Sequence, residues 1–189
     1  MQLFRVFSWD RFSRGDGAGG PLFVPRHVQG SGRHDNPSLY GALYCSLDSI
    51  SCIAEALQSF RGQTFSEGDL ERQANRVLAL ASFELSDQAT LVDLDDPRQL
   101  DARKLRPSAV ATADRRKTQS LAARVYEEEA SGFLWWSTLE SQWINCTLFR
   151  ERARSTLQLA GQPLVLSLDE PGFIAAAERI GVRLVRERE

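Results

Sequence analysis

The chain has 189 residues, 42% of them hydrophobic and 25% charged, an ordinary globular mixture that excludes disorder as the default state. Its formal charge of −2, from 23 basic and 25 acidic side chains, leaves no basic excess for a broad nucleic-acid surface. No apolar run approaches the roughly 20 residues that span a bilayer, and Cys45, Cys52 and Cys146, without CxxC spacing, argue against a disulfide framework and a zinc site. His27 and His34 lack helical metal-ligand spacing. MQLFRVFSWDRF at the start is too polar for a signal peptide, so a reducing, cytoplasmic compartment is expected. Lys104 and Lys117 are the only lysines; the arginine bias reflects either fork-like anion contacts or genome composition.

In chain order, LFRVFS (3–8) alternates and is aromatic, which predicts a short strand. Residues 10–38 are rich in Gly, Pro, Arg and Asn and have no periodicity; a stretch this long is functional or disordered. ALYCS (42–46) reads as a strand. A helix follows over about 49–60, capped by Ser46 or Asp48, with a stripe of Ile50, Ile53, Ala54 and Leu57. Residues 69–76 read as helical, VLALASFEL (77–85) and ATLVDL (89–94) as strands, and 93–107 as loop or irregular helix. A helix over 115–129 turns Leu121, Ala122 and Val125 inward, with Gly132 placed as its left-handed terminator. FLWWS and WINCTLF suggest a hairpin, VLSL another strand, 171–180 a helix stopped at Gly181, and VRLVRE a last strand. Strands and helices do not alternate strictly. The expected class is α+β, with mixed or antiparallel sheets and flanking helices, in one domain over 1–189.

Four features carry candidate chemistry. Gly15, Gly17 and Gly20 satisfy G-x-G-x-x-G, but 21–25 begins and ends in proline, so no helix starts where a Rossmann site needs one. In Gly30-Ser31-Gly32-Arg33-His34-Asp35-Asn36-Pro37 the glycines admit a close backbone approach. Arg33 there either clamps a pyrophosphate or is simply solvated. Tyr44 ends its strand, and Glu55 lies about 140° around the next helix from Ile50. Its neighbours Ser51, Cys52 and Ser59 form a small, weakly polar face. Such a face fits a covered or ligand-facing position, whereas an ordinary surface glutamate is the plainer alternative. Trp135-Trp136-Ser137, with Trp143 and Asn145, is either core or the wall of a pocket for a flat ring. No G-x-S-x-G elbow surrounds Ser137.

Taken in order, Phe4-Arg5-Val6, Gly32-Arg33 with Asn36-Pro37, Leu43-Tyr44-Cys45-Ser46, Ala54-Glu55, Trp136-Ser137 and Asn145 through Phe149 resemble the RES-domain family. The Thr118-Gln119 helix start before Leu121-Ala122 adds to the likeness, which covers roughly 3–150. The resemblance implies an ADP-ribosyltransferase-like fold. It also implies NAD as substrate rather than as a tightly bound cofactor, and cleavage of the nicotinamide–ribose bond by hydrolysis, phosphorolysis or ADP-ribosyl transfer. The family's usual partner is an Xre-like helix-turn-helix antitoxin. Carried over by position, Arg33, Tyr44, Glu55 and Ser137 match the family's site, with Arg5 as a second phosphate or ribose contact and Asn145 as a further NAD contact. His34-Asp35 stands where an aromatic residue and asparagine commonly follow the arginine.

The mechanism this implies gives Glu55 the oxocarbenium-like charge to stabilise and Arg33 the pyrophosphate. Tyr44 stacks on a ring, and Ser137 orients a ribose hydroxyl or the Glu55 carboxylate. The competing reading is a RES-like binding module without chemistry, for which the His34-Asp35 departure speaks. A nucleic-acid-binding repressor is disfavoured, because the helix starting Arg115-Arg116-Lys117 ends in Glu127-Glu128-Glu129. The C-terminal helix and strand offer an edge for a homo-oligomer contact.

Overall fold

A computed structural model describes residues 1–71 and 75–186. The elements run β1 (Gln2–Trp9), β2 (Ala42–Ser46), α1 (Ser49–Leu57), β3 (Thr64–Ser66), β4 (Val77–Leu85) and β5 (Leu91–Asp93). There follow α2 (Pro97–Ala102), α3 (Pro107–Val110), α4 (Arg115–Glu127), β6 (Gly132–Trp136), β7 (Ile144–Phe149) and α5 (Arg150–Ala153). The chain closes with β8 (Leu157–Leu159), β9 (Leu164–Val165), α6 (Pro171–Ile180) and β10 (Arg183–Val185). Strands in mixed orientation with flanking helices are the α+β class expected.

Two compact units divide the chain: one of Met1, Val24–Cys45 and Glu84–Gln158, the other of Gln2–Phe23, Ser46–Phe83 and Leu159–Glu189. In the first, the strand order is β5-β6-β7-β2. β5 runs parallel to β6, with Val92 opposite Phe133, and β6 runs antiparallel to β7, with Phe133 opposite Thr147 and Trp135 opposite Asn145. Directly opposed residues point to the same face of a sheet. One face therefore carries Phe133, Trp135, Asn145, Thr147 and Phe149 together. α4 covers the apolar part of it with Leu121, Ala122 and Val125, and Tyr40, Val92 and Leu94 join the same buried cluster. The spacing of those three helical residues and the Asp114 cap, which accepts from the Arg116 N–H, explain why the helix forms there.

In the second unit, Asp48 caps α1 by accepting from the Ser51 N–H at 2.8 Å. α1 buries Ile53, Ala54 and Leu57 together with Ser51 and Cys52, and packs with α6, whose Phe173, Ala176, Ala177 and Ile180 are buried. α6 opens on Pro171, is capped by Glu170 and ends at Gly181 with φ 72°. β10 lies parallel to β3, and the rings of Phe60, Phe65 and Phe173 meet above them. β1 neighbours β4, and β9 pairs antiparallel with β4.

Several expectations need correction. Gly132 does not end α4. Glu129 takes the left-handed turn at φ 63°, and Gly132 is the first residue of β6. A Cβ at position 132 would lie 2.4 Å from the Thr147 carbonyl, so glycine is there for the approach of β7. The helix expected over 69–76 falls partly on residues 72–74, outside the described residues; residues 67–70 form one 3-10 turn. Residues 93–107, expected as loop or irregular helix, take the second form: they hold the short α2, with Pro97 at its start, and lead into α3, with Pro107 at its start. Of the VLSL strand (165–168) only Val165 is in β9, which begins one residue earlier at Leu164, and β8 was not foreseen. The last expected strand shortens to β10, and residue 187, which closed it, lies outside the described residues.

Candidate functional site

Residues 30–36 of the first unit form a turn held by hydrogen bonds from several sides. The Asp35 carboxylate turns back into it. One oxygen accepts from the Gly30 N–H at 2.9 Å and the Gly32 N–H at 2.7 Å. The other accepts from the Tyr44 hydroxyl at 2.7 Å. α4 holds the opposite side: the Gln119 amide donates to the carbonyls of Gly30 and Gly32, each at 3.0 Å, and the Thr118 hydroxyl donates to the Arg33 carbonyl. Asn36 donates to the Gln119 carbonyl at 3.0 Å, and the Tyr40 hydroxyl donates to the His34 carbonyl at 2.8 Å. Gly32 is required by the same geometry, because a Cβ there would stand 2.6 Å from the Asp35 carboxylate.

Arg33 projects from this turn. Its guanidinium donates to the Thr112 carbonyl at 2.7 Å and lies 5.3 Å from the centroid of the Trp135 ring. Planar guanidinium on indole is a favourable pairing and restricts the arginine's rotamers. His34 points the other way, into the sheet. It is 1% exposed and packs edge-on against Phe133 and Trp135, with its Nδ1 2.8 Å from Thr147 Oγ1. The Trp135 indole N–H donates to the same hydroxyl at 3.0 Å. Burial, and then the charges of Arg33 and Arg115, hold the His34 imidazole well below its ordinary value. It is therefore neutral where histidine usually titrates.

The half-buried Tyr44 also accepts from the His34 N–H at 2.9 Å. Burial, with the Asp35 carboxylate as the next cause, pushes its phenol up. Its hydroxyl is thus a fixed strut, and the ring is the part that can face a ligand. Ser137, just beyond β6, is buried; its hydroxyl accepts from the Leu139 N–H at 2.9 Å, and its own N–H donates to the Trp143 carbonyl at 2.7 Å. Asn145 is buried opposite Trp135. The first unit therefore brings Arg33, Tyr44 and Asn145 to a shared set of neighbours around His34 and Trp135, with Ser137 two residues after Trp135, just past the end of β6.

Arg5 and Glu55 belong to the second unit. From β1, Arg5 donates to the carbonyls of Pro21 and Phe23, fastening the end of the 10–23 loop. Glu55 is half-buried on α1, and its carboxylate lies 3.4 Å from the Gln58 amide. Gly15, Gly17 and Gly20 lie in that loop, which closes on itself through the Gly17 N–H to the Arg14 carbonyl and the Gly20 N–H to the Gly17 carbonyl. Only a single 3-10 turn, Arg26–Val28, follows it before β2, so the pattern is not a Rossmann turn.

Sequence reasoning missed Asp35, Thr118, Gln119 and Thr147 as builders of the site, and read His34-Asp35 only as a departure. No local spacing announced Asp35, because its carboxylate reaches back to the Gly30 and Gly32 N–H groups instead of forward to the backbone two residues on, as in an Asx turn. Among the described residues no cluster of His, Cys, Asp and Glu is arranged to hold a metal, and no helix is long and apolar enough to cross a membrane.

The sequence profile of the RES domain matches residues 3–169, further than the motifs alone reach. No curated protein matches the chain. Among solved structures, a chain of the crystal structure of the M. tuberculosis MbcT-MbcA toxin-antitoxin complex is similar in fold. Its TM-score is 0.62 at 18% identity, covering 94% of this chain and 88% of that one.

Proposed function

The chain belongs to the RES domain family, and from that premise we propose that it binds NAD and breaks the bond between nicotinamide and ribose, as the toxin of a toxin–antitoxin pair. The observation that carries the reading is Arg33: a guanidinium on a turn braced by Asp35 and α4, held by the Thr112 carbonyl and the Trp135 ring. A cation so oriented in advance suits a pyrophosphate, because little freedom is lost when the anion binds.

In the reaction proposed, the C1′–N bond breaks and its electron pair leaves with nicotinamide, which neutralises the pyridinium. No strong general acid is needed. Positive charge develops on the ribose, and Glu55 is the carboxylate proposed to stabilise it. Water, phosphate or a protein side chain forms the new bond to C1′ and gives up its proton. Tyr44 offers its ring as a stacking surface, Ser137 orients a ribose hydroxyl, Asn145 contacts the dinucleotide, and Arg5 supplies a second phosphate or ribose contact. The partner proposed is an Xre-like helix-turn-helix antitoxin in the cytoplasm. The fold shared with a chain from a toxin–antitoxin complex supports a partner of that kind.

The test is to incubate the purified protein with NAD and follow free nicotinamide by chromatography. Release above the rate without protein is expected. NAD bound but left intact makes the chain a binding module, the reading that the His34-Asp35 pair favours. Neither binding nor release rejects the NAD assignment.

A further inference from the structure

We infer that Asp35 is a positioning residue for NAD recognition, fixing through the glycine turn the side chain of Arg33 while touching no substrate itself. The inference rests on the NAD reading above and deepens it. Asp35 is 6% exposed and acidic, and it follows the arginine by two residues. Its carboxylate lies toward the two glycine N–H groups at 2.9 Å and 2.7 Å and the Tyr44 hydroxyl at 2.7 Å. Hydrogen bonds to an ionised acceptor are short and strong. Three of them on one buried carboxylate fix residues 30–35 from inside, while Gln119 and Thr118 fix the carbonyls from α4. The guanidinium leaves this turn at one end and meets the Thr112 carbonyl at the other, so the turn's geometry is the arginine's geometry. A bidentate anion contact tolerates little misplacement.

Asp35→Asn tests the inference. The substitution keeps the shape but puts an amide, with two donors, where three donors already converge. The readout is the dissociation constant for NAD by calorimetry, in the unaltered chain, in Arg33→Ala and in the double variant, each checked for folding by circular dichroism. Asp35→Asn is expected to weaken NAD by about tenfold or more, and to add almost nothing once Arg33→Ala is in place, because the two act as one unit. Should Asp35→Asn fail to fold, Gln119→Ala, which loosens the same turn from α4, takes its place with the same expectation. A residue that only stabilises the fold would lower the melting temperature without this dependence on Arg33. An unchanged affinity, or an equal loss with and without Arg33, overturns the inference while the NAD reading stands. No NAD binding by the unaltered chain overturns both.

Discussion

Thr147 Oγ1 lies 2.8 Å from His34 Nδ1 and accepts from the Trp135 indole N–H at 3.0 Å, so one buried hydroxyl serves two aromatic side chains from two other segments. Thr147→Val is nearly isosteric but removes that hydroxyl and leaves both ring nitrogens buried without this partner. Each such loss costs ~1–3 kcal/mol. Urea denaturation should show a loss of that order or more, at unchanged slope. A variant as stable as the parent would show that the hydroxyl does not hold the two rings.

His34 makes the protein acid-sensitive in a defined window. Its pKa is depressed in the folded state, first by burial and then by Arg33 and Arg115, from the ordinary 6.5. Above that value both states are neutral at this residue and its contribution is fully present. Below it the unfolded chain takes up a proton that the folded chain resists, so stability falls as pH drops toward the depressed value. One proton limits the slope to ~1.4 kcal/mol per pH unit. Denaturation midpoints from about pH 8 to about pH 5 should show this decline, and His34→Gln should flatten it. A slope that survives the substitution would assign the effect elsewhere.

Glu55→Gln keeps the size of the side chain and removes its charge. Loss of one preorganised electrostatic group predicts at least a ~100-fold fall in nicotinamide release at saturating NAD. A thermal melt establishes that the variant is folded before its turnover is compared. Full turnover in the folded variant would remove Glu55 from the mechanism and leave the NAD site without its proposed carboxylate.

Gly132→Ala tests the close pairing of β6 and β7. The added methyl would stand 2.4 Å from the Thr147 carbonyl and 3.0 Å from the Leu148 Cα, and backbone must shift to admit it. Overpacking of this kind costs ~1–3 kcal/mol. An unchanged denaturation midpoint would mean that the strands lie further apart than described.

Local signals explain what could be read in advance. β2, β4 and α6 stand where the sequence placed them, because alternation, helical spacing and an N-cap or a terminal glycine each act within a few residues. The misreading of Gly132 has a physical cause: a glycine just past a helix serves equally well as a terminator or as a point of close strand approach, and only the partner strand decides. Arg33, Tyr44, Glu55, Ser137 and Asn145 came from an ordered motif. The bracing of Arg33 did not, because its partners Val110, Thr112 and Thr118 lie 77 to 85 residues away, and helical spacing marks Thr118 as an inward residue of α4 without saying what it meets. Asp35 was visible only as a residue out of place. Its role depends on where Tyr44 and two amide hydrogens arrive in space.

The partners of the arginine turn are also spread along the order of synthesis. The turn is made early, yet the groups that fasten it lie at positions 118 and 119, and the hydroxyl that seats His34 lies at 147. A chain that stops before residue 112 holds the arginine but none of the groups of α4 and β6 that aim it. An oriented arginine is therefore a property of contacts made across more than a hundred residues, and a peptide carrying the glycine turn alone does not reproduce it.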